Sequence, residues 1–155
     1  MKKIKNIYML LLSATLLLTA CHQKTMTKNY GVSGVVINGL DQSVWSADEV
    51  VPSQTELIDN LENRGFTIRE FDTAFESDIV ANRVYAEKNN LFMDICYGLS
   101  IEDAKKIFKN YEAEYSEFYV LAQNEEYVYV VSDKKTFKEA GFESTATIGT
   151  IYMWE

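Results

Sequence analysis

The feature that most restricts the fold of this sequence is a pair of strand-forming runs joined by a short turn. Ile79–Glu87 and Leu91–Tyr97 are rich in β-branched and aromatic residues, and Lys88-Asn89-Asn90 lies between them. Asn tolerates a positive φ, so Asn89-Asn90 predicts a two-residue turn between antiparallel strands. With that turn, four apolar residues share one face, in the pairs Ala86 with Met93 and Val84 with Ile95.

Two capping boxes mark the starts of helices. Ser53-Gln54-Thr55-Glu56 and Ser100-Ile101-Glu102-Asp103 each place a hydroxyl three residues before a carboxylate, so that both side chains can bind backbone N–H groups of the first turn. Apolar residues follow both boxes at helical spacing. Ser132 or Asp133 can cap a third, shorter helix, which Gly141 would end.

Three other segments predict strands. Phe66–Phe71 alternates between apolar and polar residues, as a half-buried strand does. Glu117–Ala122 and Glu126–Val131 indicate a second hairpin across Gln123-Asn124-Glu125. The tail from Ile148 to Trp154 is apolar, and we expect it to add a strand or to dock on the core.

The resulting order is α-β-β-β-α-β-β-α, in which the strands cluster in hairpins. This order predicts an α+β fold of two layers, with a mainly antiparallel sheet of about five strands and helices on one face. The length of 155 residues suits one domain. We expect these core residues to be buried: Leu57, Ile58, Leu61, Ile68, Val84, Ile95, Ile107 and Phe108.

The N-terminus has the layout of a secretory signal peptide. Three lysines within the first five residues precede an apolar run, Ile7–Leu18, that is too short to span a bilayer comfortably as a helix. The run ends in Leu18-Thr19-Ala20-Cys21, which resembles the lipobox of bacterial lipoproteins at all four positions. An ordinary signal peptide or an uncleaved anchor with a chance Cys is the alternative.

The resemblance implies cleavage between Ala20 and Cys21 and a diacylglyceryl group on the Cys21 thiol. Two acyl chains give stable anchoring, whereas one holds a protein only marginally. The expected organisation is a signal peptide over residues 1–20, a lipidated and mostly flexible tether over 21–52, and a globular domain over 53–155. The protein would then be lipid-anchored to the cell membrane on its extracytoplasmic face.

The tether assignment has a competing interpretation. Residues 22–52 contain three Gly among many polar residues and end at Pro52, which is typical of a linker. However, Val32 to Leu40 is apolar enough for a short strand, and Trp45 needs a packing partner. Part of this segment could therefore pack on the domain.

Composition excludes several classes of function. A net charge of −8 argues against a nucleic-acid partner. The single His, His22, adjoins Cys21 and is badly placed for a triad, and none of the usual nucleotide, hydrolase or zinc motifs is present. We therefore expect no catalytic residue, metal or cofactor, and we interpret Cys96 as a small buried apolar residue.

Carboxylates offer an alternative, because paired acids run glycoside hydrolysis and acid clusters bind Ca²⁺. They fall into two sequence groups: Asp72, Glu76 and Asp78, and Glu112, Glu114 and Glu117. Neither has the spacing of an EF-hand calcium loop, and no Gly lies at the position that its turn requires. An envelope-acting enzyme or enzyme accessory that uses them is one alternative function, and a structural spacer in an envelope complex is another.

The leading interpretation is a non-enzymatic binding domain for an envelope protein, peptide or glycan. The face of the first hairpin opposite its apolar residues carries Arg83, Tyr85, Phe92 and Asp94. We expect this face to lie outward, away from the helices, with Arg83 and Asp94 forming an exposed diagonal pair. Exposed aromatic residues beside charges are common in binding surfaces.

Overall fold

The computed structural model describes the backbone of residues 36–37 and the whole of residues 44–75 and 78–153. The strands are β1 (Val36–Ile37), β2 (Thr67–Phe75), β3 (Ile79–Lys88), β4 (Leu91–Tyr97), β5 (Val120–Asn124), β6 (Tyr127–Val131) and β7 (Gly149–Met153). The helices are α1 (Gln54–Glu62), α2 (Ile101–Glu114) and α3 (Lys134–Glu139), and a 3₁₀ turn, Ala47–Glu49, precedes α1.

The seven strands form one antiparallel sheet in the order β1-β7-β5-β6-β4-β3-β2. The predicted turn between β3 and β4 is confirmed: Lys88 pairs with Leu91, and Asn89 has a φ of 55°. The pairs Ala86–Met93 and Val84–Ile95 also occur as expected.

The second hairpin differs from the prediction in its turn. Asn124 pairs with Tyr127, so only Glu125 and Glu126 lie in the loop. The Asn124 side chain donates to the carbonyl of Ala146 at 3.1 Å and accepts from the backbone N–H of Ile148 at 2.8 Å. These bonds hold Asn124 as the last residue of β5.

The helix starts agree with the sequence. The hydroxyls of Ser53 and Ser100 accept from the backbone N–H three residues on, at 3.3 and 3.1 Å. Asp133, not Ser132, caps α3, accepting from the backbone N–H groups of Lys135 and Thr136. Each cap satisfies donors that have no partner inside the helix.

The α+β class and the antiparallel sheet are confirmed, but the sheet has seven strands instead of about five, and the helices lie on both of its faces. One buried cluster joins α1 and α3 to residues such as Ile95 and Tyr129. A second cluster joins α2 to Cys96, Val128 and Val130, the alternate positions of the same strands. Because β5 and β6 are apolar on both faces, one layer of helices would leave an apolar face in water.

The predicted core is largely confirmed. Six of the eight residues are buried, namely Leu57, Leu61, Val84, Ile95, Ile107 and Phe108. Ile58 and Ile68 are partly buried against the same core. The apolar tail also behaves as expected, because β7 inserts between β5 and β1.

The packed part of the chain begins before Ser53. Val44, Ala47 and Val50 belong to the core on the α1 face, and β1 pairs with β7. The end of the expected tether is therefore part of the domain, because its apolar residues are buried there, although Trp45 is 79% exposed. Ala20, Cys21 and the leader lie outside the described residues.

Candidate binding surface

A buried ion pair joins the two strands of the first hairpin. Arg83 on β3 and Asp94 on β4 are diagonal neighbours, because Arg83 pairs with Cys96 and Tyr85 with Asp94. Arg83 donates from Nε to Asp94 Oδ1 at 2.8 Å and from Nη2 to Oδ2. The Asp94 side chain is fully buried and that of Arg83 is 16% exposed. This two-bond geometry matches the planar guanidinium to the planar carboxylate.

Two tyrosines complete the surroundings of the Asp94 carboxylate. Tyr111, on α2, donates its hydroxyl to Oδ1 at 3.0 Å. Tyr115, directly after α2, donates to Oδ2 at 2.6 Å. The carboxylate thus accepts four hydrogen bonds, which is what allows a charge to remain inside a protein. The same bonds fix the C-terminal half of α2 to β4.

The electrostatics of this cluster keep its donors protonated. The hydrogen bond to Asp94 raises the pKa of Arg83 above its ordinary value, which is itself far above neutral pH. Burial, followed by the negative charge of Asp94, raises the pKa of Tyr111 and of Tyr115. At neutral pH these three groups are therefore protonated and available as hydrogen-bond donors.

A row of flat side chains extends from this cluster toward the edge of the sheet. The rings of Tyr115 and Phe92 stack at 5.6 Å between centroids, and those of Phe92 and Tyr85 at 6.5 Å. The guanidinium carbon of Arg69, on β2, lies 5.3 Å from the centre of the Tyr85 ring. Stacking of this kind restrains side chains that water reaches on one side.

A second contact of the same kind reaches the edge strand itself. The guanidinium carbon of Arg83 lies 5.5 Å from the centre of the Phe71 ring, which is 41% exposed on β2. On this face α2 packs over β5 and β6 and reaches β2 near the end of that strand, where the rings of Tyr111 and Phe75 lie 6.5 Å apart. We call the following six residues the arginine–aromatic surface: Arg69, Phe71, Arg83, Tyr85, Phe92 and Tyr115.

The structure brings together all four residues selected from the sequence, but it corrects their exposure. Arg83 and Asp94 do not form an exposed pair, because α2 lies on this face and its tyrosines enclose the carboxylate. Tyr85 and Phe92 are half-buried. Sequence reasoning missed Arg69, Phe71 and Tyr115 as members of this surface. The alternating strand Phe66–Phe71 was a usable signal for the first two.

Cys96 is fully buried beneath α2. Its Sγ lies 3.3 Å from the Tyr111 hydroxyl oxygen, and burial raises the pKa of its thiol to about 12. A thiol that stays protonated at neutral pH is a poor nucleophile. The interpretation of Cys96 as a packing residue therefore agrees with its surroundings.

The acidic groups considered for catalysis or calcium are spread over the surface. Asp72, Asp78, Glu112, Glu114 and Glu117 are all exposed, and Glu76 lies outside the described residues. Within the described part of the chain, no three His, Cys, Asp or Glu side chains sit close enough together to hold a metal ion.

Two open grooves flank α2. One has a volume of about 590 Å³ and is lined by Phe75 and Ile79 beside Lys106 and Lys109. The other, of about 560 Å³, runs along β7 past Tyr152. Both have charged residues of both signs at their rims, so neither attracts a ligand of one charge.

None of the helices in the described ranges is both long and apolar enough to cross a membrane.

Comparison with known proteins does not assign the chain to a family. No family model, no curated protein and no solved structure matches it.

Proposed function

We propose that this protein is a bacterial lipoprotein, anchored by Cys21 to the extracytoplasmic face of the membrane, whose domain binds an envelope protein, peptide or glycan. Binding, not catalysis, is its task. The observation that carries the proposal is the arginine–aromatic surface. Its side chains are restrained by the Asp94 carboxylate and by ring stacking, and its outer side is open to water.

The rigidity of that surface supports a binding role. Asp94 fixes the guanidinium of Arg83, and Phe92 is stacked between Tyr85 and Tyr115. Arginine and tyrosine dominate the energetics of many interfaces. Tyrosine buries a large area with few rotatable bonds, and here the longer arginine side chains are held by the Asp94 carboxylate and by the Tyr85 ring. A structural spacer has no need of such an array, and an enzyme would place proton-transfer groups there instead.

The location of the surface also suits an anchored protein. The N-terminal strand β1 and the strand β2 occupy opposite edges of the sheet. Seven strands at about 4.8 Å spacing put these two edges roughly 29 Å apart. A chain tethered through residues preceding β1 can therefore hold the arginine–aromatic surface away from the lipid.

The anchor is tested by expressing the full chain in a bacterial host. The wild type should partition into the detergent phase, and its mass should show the loss of residues 1–20 and the gain of a diacylglyceryl group. Cys21→Ala should abolish lipidation. A lipid on the Cys21→Ala variant, or a wild type that stays in the aqueous phase, would contradict the proposal.

The binding role is tested on detergent-solubilised envelopes with affinity-tagged full-length protein. Tyr85→Ala removes the ring between Arg69 and Phe92, and we expect it to lower recovery of the bound partner at least tenfold. Trp45→Ala is the matched control, because it removes a highly exposed aromatic ring elsewhere. Equal recovery with Tyr85→Ala and wild type would show that the arginine–aromatic surface is not the binding site.

A further inference from the structure

The outer edge of β2 is a long strand without a neighbour in the described part of the chain. Its nine residues, Thr67–Phe75, pair along their whole length with β3, and β2 ends the strand order. Six of the nine are exposed. Exposed edges are usually short or covered, because their free N–H and C=O groups can pair with another strand.

The two faces of β2 differ in their chemistry. Phe71 lies on the arginine–aromatic surface, where Arg69 is paired with Glu87. Glu70 and Asp72 lie on the opposite face, and no cation of the described chain lies within ion-pair distance of either. Glu70 accepts one hydrogen bond, from the neutral amide of Gln54 at 2.7 Å. The edge therefore offers two carboxylates that no cation neutralises. They belong to the residues directly before and after the exposed Phe71.

This charge pattern disfavours a second copy of the chain at the same edge. In an antiparallel pair of β2 strands centred on Phe71, Glu70 would lie opposite Asp72 of the other copy. Centring the pair on Glu70 or on Asp72 would set that carboxylate opposite itself. Like charges at directly opposed positions destabilise a sheet, so the long registers of self-pairing are all penalised.

We propose that β2 accepts an extended segment of a partner protein as an additional antiparallel strand. The segment carries Lys or Arg at alternate positions, opposite Glu70 and Asp72, and an apolar residue between them, opposite Phe71. Backbone hydrogen bonds supply affinity in this mode and alternate side chains supply specificity. The inference rests on the proposed binding function and specifies its partner as a basic-apolar strand.

The test uses a blocked nine-residue peptide that alternates Lys and Val, with the full-length protein in detergent. We expect saturable binding by fluorescence anisotropy and slower hydrogen exchange at the β2 backbone amides. A peptide alternating Glu and Val should bind at least tenfold more weakly. Two forms of the Lys-Val peptide, N-methylated on every Lys or on every Val, can each pair along one edge only, so one form should lose binding and the other should keep it.

Two charge variants separate edge pairing from general attraction to an acidic protein. Glu70→Lys/Asp72→Lys should weaken binding of the Lys-Val peptide about tenfold. Glu112→Lys/Glu117→Lys makes the same change in net charge at exposed positions elsewhere and should leave binding nearly unchanged. Equal weakening by both variants would overturn the proposal, as would β2 exchange that the peptide does not slow.

Other occupants of the edge give distinct results. If the β2 amides are protected from hydrogen exchange in the absence of peptide, and this protection increases with protein concentration, the edge is occupied by a second copy of the chain. Protection that disappears when residues 22–35 are deleted would assign it to the chain's own N-terminal segment. Either result refutes the inference. Loss of envelope binding by Tyr85→Ala, together with unprotected β2 amides, would refute strand addition alone and leave the binding function standing.

Discussion

Arg83→Met should destabilise the domain strongly, because it removes one member of a buried ion pair. Methionine retains the apolar stem of the side chain but loses both N–H donors to Asp94. The Asp94 carboxylate remains fully buried and keeps only the hydroxyls of Tyr111 and Tyr115.

The magnitude follows from the burial of the pair. Removing one partner of a buried salt bridge costs about 3–5 kcal/mol, because the other charge is left uncompensated. The 16% exposure of Arg83 lets water reach the vacated space, which favours the lower end of that range. With an m-value of about 2 kcal/mol/M, a loss of about 3 kcal/mol moves the urea midpoint down by about 1.5 M.

Arg69→Met is the matched control in the same urea titration. Arg69 is also a strand arginine bound to a carboxylate and stacked on a ring, but its side chain and that of Glu87 are 57% and 41% exposed. Exposed pairs contribute about 0–1 kcal/mol, so its midpoint should move by less than about 0.5 M. Equal shifts for Arg83→Met and Arg69→Met would refute the conclusion that Arg83 neutralises a buried Asp94 carboxylate.

A double substitution supplies a second check on the buried charge. Arg83→Met/Asp94→Asn should be more stable than Arg83→Met by at least about 1 kcal/mol, because it removes the uncompensated charge and keeps an acceptor for a tyrosine. A double variant less stable than Arg83→Met would show that the unpaired carboxylate is not the cause of the loss.

Two further predictions concern packing and alkaline pH. Gly149→Ala should cost about 1–3 kcal/mol in urea unfolding, because its Cβ would collide with the Gln123 carbonyl oxygen; an unchanged midpoint would contradict this close approach. Stability should fall between about pH 9 and pH 12, because Cys96 ionises near 9 when unfolded and near 12 when buried, so the unfolded chain loses its proton first. The decline should be shallower in Cys96→Ala, and identical pH profiles for this variant and wild type would refute the role of the thiol.

Short-range patterns in the sequence predicted the local structure well. The turn at Asn89 and the caps at Ser53 and Ser100 each depend on residues within a few positions of one another, and all three formed as predicted. The same register argument placed Arg83 diagonal to Asp94, so the centre of the candidate site was predictable.

Long-range packing was not predictable from these patterns. Tyr111 and Tyr115 lie 17 and 21 residues from Asp94 along the chain, and only the docking of α2 brings them to it. The choice of face for α2 depends on β5 and β6, which carry buried apolar residues on both faces once they are neighbours. The order of those strands, with β6 between β4 and β5, follows from no local signal.

The pairing of β1 with β7 sets the order in which the domain can be completed as the chain emerges. A chain emerges N-terminus first, both from a ribosome and across a membrane, so Val36 and Ile37 appear more than a hundred residues before their partners Ile151 and Thr150. Until those residues arrive, β5 is an uncovered edge and the N-terminal strand has no place in the sheet. Closure of this side of the molecule is therefore the last step of assembly, and a chain that stops short of Gly149 exposes a fresh strand edge of the kind that promotes aggregation.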